Sequence, residues 1–168
     1  MLQQEVYFFH DVSSYEAAIR REVPTVDVTT LLYLKEAMQA FQAGCMLSST
    51  VMLGVSAECA FELLLEQLEV HSTHKSTFSS VFKKRGLLSL SRFDKFQAVI
   101  KSLAKELPAG IKEDLDTHLA GILSVIRTYR NESGHPTGKI IDREQTFILL
   151  QLFIPYYKKL YQLRDHFK

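Results

Sequence analysis

The chain has 168 residues, of which 46% are hydrophobic and 23% charged, and its net charge is +1. That length and balance suit one globular domain with a sizeable core. The near-zero net charge excludes a global nucleic-acid footprint, so any RNA site must be a local patch. No apolar run of transmembrane length is expected: the closest, over 147–157, is short and holds Pro155. The N-terminus has neither a basic start nor an apolar secretory core, so the reading is cytoplasmic, with no membrane partner.

Residues 1–26 read as an N-terminal arm packed on the body. Within it, Val6-Tyr7-Phe8-Phe9 has strand character, and 15–22 suits a short helix that Pro24 stops. Residues 27–168 read as the helical domain. Asp27 or Thr29 caps a helix to Gln42, with Leu31, Leu34, Met38 and Phe41 at helical spacing. Ala43-Gly44 is either a tight connection or part of one longer helix. A nearly all-apolar helix over 45–70 follows, and so little polar surface implies burial against several neighbours. Cys45 and Cys59 on that helix would lie about 21 Å apart, too far for a disulfide. They read as reduced core residues.

Residues 71–92 read as a Ser-rich, basic connection, 93–107 as a helix ending before Pro108, and 114–133 as the next helix. Asp142-Arg143-Glu144-Gln145 resembles a capping box opening a last helix to about Phe167, with a kink expected at Pro155. No strand alternation competes. The fold class is an all-α, up-down bundle of about five main helices with a short N-terminal arm.

The stretch Tyr129-Arg130-Asn131-Glu132-Ser133-Gly134-His135-Pro136 carries the chemistry. The helix before it bears an apolar repeat, Leu115, Leu119, Ile122, Leu123 and Ile126, and at 100° per residue Arg130 falls within about 20–40° of that seam. A guanidinium there needs a partner. Gly134 offers a helix stop, and Pro136 biases His135 toward an extended backbone that could turn its imidazole toward Arg130.

Arg130, Asn131 and His135 near the end of a long helix resemble the motif of the HEPN superfamily (higher eukaryotes and prokaryotes nucleotide-binding domain), in which Arg and a polar residue precede His. The resemblance covers Thr29 to the C-terminus and implies a HEPN-like bundle whose catalytic residues are Arg130 and His135, supported by Asn131. It also implies metal-independent RNA cleavage: a base deprotonates the ribose 2′-hydroxyl, which attacks the adjacent phosphate, and an acid protonates the departing 5′-oxygen. Histidine, with an unperturbed pKa of about 6.5, suits either proton transfer, and arginine can hold the phosphorane charge. No cofactor or metal is called for. One chain supplies one such histidine, so the resemblance further implies a homodimer with a composite cleft. The face bearing Leu119, Leu123 and Arg130 is then expected in or beside the two-fold interface. Toxin and phage-defence settings fit such an enzyme. An antitoxin of the nucleotidyltransferase type is a less natural partner, because Thr137 stands where a modifiable Tyr is often found.

Further candidates carry plainer explanations. Arg127, one turn before Arg130, is either a flanking phosphate contact or a surface cation near a helix end. Lys83, Lys84 and Arg85, with Lys75, Arg92, Lys95, Phe78 and Phe82 around them, could track a single-stranded RNA and stack bases, or form a solvated loop. Glu58 and Glu62 interrupt the most buried helix and need partners, for which Arg127 and Arg130 are candidates. His71 and His74 near Glu66 and Glu69 lack the further ligands that a metal site requires. The leading expectation is a homodimeric endoribonuclease acting on RNA. The alternative is a non-catalytic HEPN-like module that binds nucleotide, RNA or a protein.

Overall fold

The fold is given by a computed structural model, which describes residues 10–82, 90–136, 138–139 and 141–168. Among them every regular element is helical, and the all-α expectation holds. In chain order these are α1 (Val12–Glu22), α2 (Val28–Gln42), α3 (Met46–His71), α4 (Lys75–Phe82), α5 (Leu90–Ser102), α6 (Ala109–Lys112), α7 (Ile122–Gly134) and α8 (Arg143–Phe167). A π-helical turn, Thr117–Gly121, leads directly into α7.

Local chemistry sets the helix ends. Asp27 Oδ1 accepts from the Thr29 and Thr30 amides at 2.9 and 2.8 Å, so α2 starts at the first of the two expected caps. Its end is a tight left-handed turn. Gly44 has φ +79°, its N–H donates to Phe41 O, and the Cys45 N–H reaches back to Ala40 O at 2.8 Å. That pair of bonds satisfies the last carbonyls and reverses the chain, which makes α2 and α3 two antiparallel helices. Asp142 and Gln145 form the expected capping box at the start of α8. α8 remains helical through Pro155. At the other end of the chain, α1 stops before Pro24, and the Tyr15 hydroxyl donates to Leu150 O at 2.9 Å, joining α1 to the main core. The Val6–Phe9 strand expectation lies outside the described residues.

Helix α3 is the central post. Leu53, Ala57, Phe61, Leu64 and Leu68 recur at helical spacing, are all buried, and are covered by α2, α7 and α8. By length and composition α3 could cross a membrane, which corrects the expectation that no segment reaches that size. Its apolar stripe is instead consumed within the bundle, as in the core helix of a globular domain.

Three boundaries depart from the sequence reading. The basic connection over 71–92 contains α4, in which Phe78 is fully buried against Phe96 and Phe167. Helix α5 begins at Leu90 and ends at Ser102, followed by turns and the short α6. The helix read over 114–133 begins after Asp114, whose φ is +54°, and contains the π turn. A π turn inserts a residue that a 3.6-residue period cannot anticipate.

Candidate functional site

Helix α7 lies along α3, and one glycine sets how closely. A Cβ built at Gly54 would fall 2.3 Å from Arg130 Cγ and 2.6 Å from Arg130 Cβ. The Arg130 stem therefore rests on the bare backbone of α3, a separation open only to glycine. The guanidinium extends toward Glu58, with Nη2 at 3.6 Å from Oε2. Glu58 is 17% exposed and Arg130 31%, so the pair is half-sheltered while the cation still reaches water. Of the two partners foreseen for Glu58, Arg130 is the one that pairs with it. Its Nη1 also donates to Asn131 Oδ1 at 3.1 Å.

Asn131 thus faces Arg130. His135 is the residue just past α7, exposed, with an extended backbone (φ −108°, ψ 145°), as the following proline favours. No hydrogen bond joins its imidazole to Arg130 among the described residues. The two share the C-terminal end of α7.

The apolar seam before Arg130 is accounted for inside the chain. Leu119, Leu123 and Ile126 are buried in the core, and α7 packs on α3. The apolar surface of Leu119 and Leu123, on the face expected in or beside a two-fold interface, is thus already covered within one chain. The outward face of α7 carries Ser124, Val125, Thr128 and Asn131, with His135 beyond it, all exposed.

Arg127 is half-buried, and its Nη1 is sealed from solvent with no hydrogen-bond partner among the described residues. It is not the surface cation of the plainer expectation, and a phosphate could meet that nitrogen only if the side chain moved outward. Arg127 and Glu58 both act on Tyr156, whose hydroxyl donates to Ala57 O at 3.0 Å. Burial pushes that phenol well above its usual pKa, the Glu58 charge adds to the rise, and Arg127 opposes it.

The basic cluster divides. Arg92, expected on a solvated connection, is 4% exposed. It holds Glu62 through two hydrogen bonds of 2.5 and 2.7 Å and donates from Nε to Val81 O. Both bonds come from Nη1, and this charge-assisted pair supplies the partner that Glu62 required. Phe78, proposed to stack bases, lies in the core. Lys75 and Lys95 remain exposed, whereas Lys83, Lys84 and Arg85 lie outside the described residues. His74 pairs with Glu106 at 3.4 Å and meets the edge of Phe167.

A second polar cluster escaped the sequence reading. Lys159 is 5% exposed on α8, and its ammonium donates to the carbonyls of Gly110, Ile111 and Glu113 at 2.9–3.3 Å. It thereby holds the end of α6 against the bundle. Burial and then the Lys159 charge lower the pKa of His118, which sits in the π turn. A lysine among apolar α8 residues was the available signal, since a buried ammonium must find acceptors.

The chain matches no protein-family model, no curated protein and no solved structure.

Proposed function

We propose that this chain is a metal-independent endoribonuclease of HEPN type, acting on RNA as a homodimer, with Arg130 and His135 as catalytic residues and Asn131 in support. The observation that carries the reading is the setting of Arg130. Its stem is anchored to α3, its side chain is still 31% exposed, and the exposed His135 follows just past the end of the same helix. A guanidinium so held can receive the charge that develops on a phosphorane, and a solvated imidazole can move a proton. Two copies meeting across the outward face of α7 would bring two arginines and two histidines to one phosphate, supplying both the acid and the base.

A second reading, a non-catalytic module that binds RNA, nucleotide or protein, draws on the Glu58 ion pair, which opposes a phosphate at one edge of Arg130. Cleavage of a mixed-sequence RNA in EDTA separates the two. The enzyme reading expects a 2′,3′-cyclic phosphate product and a dimer by light scattering. His135→Ala should abolish cleavage with fold and RNA affinity retained. RNA bound equally by wild type and His135→Ala, and cut by neither, would establish the second reading. A strict need for divalent metal would refute the mechanism.

A further inference from the structure

Resting on that reading, we propose that Gly54 and Glu58, one turn apart on α3, are positioning residues for Arg130. Each constrains a different part of the side chain. The Gly54 backbone occupies the space along one side of Arg130 Cβ and Cγ, which limits the rotamers open to the stem. Glu58 faces Nη2 from the protein side, and Asn131 accepts from Nη1.

A guanidinium has five N–H donors in a fixed planar fork. With one hydrogen engaged by Asn131 and one edge turned to Glu58, the remaining donors, Nε–H among them, have no partner among the described residues. Those donors form the edge that would meet a phosphate. At 3.6 Å the Glu58 contact is longer than a hydrogen bond, so it orients the cation through charge without saturating it. Glu58 is 17% exposed and is itself fixed on the central helix, so the anchor is rigid.

Glu58→Gln tests this in the full chain, because it keeps side-chain size and removes the charge. Two readouts are taken on a variant whose circular dichroism and melting match wild type. The first is rotation of the Arg130 guanidinium by nitrogen-15 NMR, with its signal assigned by loss in Arg130→Lys. The second is single-turnover cleavage at saturating RNA, with RNA affinity measured in parallel.

Positioning expects faster guanidinium rotation, a cleavage rate lower by about tenfold, and affinity unchanged within about twofold. Glu58→Asp, which keeps the charge on a shorter arm, should recover part of the rate, and it carries the same test if Glu58→Gln does not fold. Unchanged rotation in Glu58→Gln overturns the proposal, whatever the activity. A cleavage rate equal to or above wild type does so as well, and would make Glu58 a competitor of the phosphate. Faster rotation in a chain that cuts no RNA would sustain the positioning role and refute the ribonuclease alone.

Discussion

Substituting Gly54 by alanine adds one methyl at the closest approach of α3 and α7. That carbon would lie 2.3 Å from Arg130 Cγ and 2.6 Å from Arg130 Cβ, whereas carbon atoms in favourable contact sit about 3.5–4.0 Å apart. Rotating the arginine could relieve the Cγ overlap. It cannot relieve the Cβ overlap, because Cβ is fixed to the backbone of α7, so the helices must separate. Overpacking costs about 1–3 kcal/mol, and two overlaps this close, 2.3 and 2.6 Å, put this site at about 2–3 kcal/mol. The better helix propensity of alanine offsets about 1 kcal/mol. The expected net effect is a loss of about 1–2 kcal/mol, or a melting temperature lower by roughly 2–8 °C for a domain of this size. Urea denaturation followed by circular dichroism reads it directly. Gly134→Ala is the control: its methyl would meet nothing within 4 Å, so it should gain a few tenths to about 1 kcal/mol. If Gly54→Ala were as stable as wild type or more so, the close packing of Arg130 on α3 would be wrong.

Three further outcomes follow from the structure. Glu62→Gln leaves the buried Arg92 cation without its counterion, and because Glu62 itself is 34% exposed the expected loss is about 2 kcal/mol in urea denaturation. Asp27→Ala removes the cap of α2 and the acceptor for the Tyr157 hydroxyl, so its urea midpoint should fall by the equivalent of about 1–2 kcal/mol, whereas Asp27→Asn should retain most of the cap. His118 has a folded pKa lowered from 6.5. Its contribution to stability is therefore present above that value and is lost as pH falls through the folded value. His118→Gln should flatten the stability decline between about pH 7 and pH 5, and an unchanged profile would count against a half-buried imidazole in the π turn.

Helix identity and most helix ends were legible from sequence because their causes lie within a few residues. Asp27 caps amides two and three residues on, Asp142 pairs with Gln145, and Gly44 closes a turn around carbonyls just behind it. The end of α7 at Gly134, and the extended His135 before Pro136, are local in the same way. The sequence alone also showed that Glu58, Glu62 and Arg130 needed partners, since each interrupts an apolar helix face.

Which partner each took was decided by tertiary packing. Glu62 found Arg92, 30 positions away, and that pairing turned a supposed loop cation into a core residue. The close approach of Arg130 depends on the missing side chain of Gly54, 76 positions earlier, a relation that no periodicity encodes. The same packing covered Leu119 and Leu123 within one chain. An apolar seam specifies that burial must occur, but only the folded arrangement of helices determines which surface provides it.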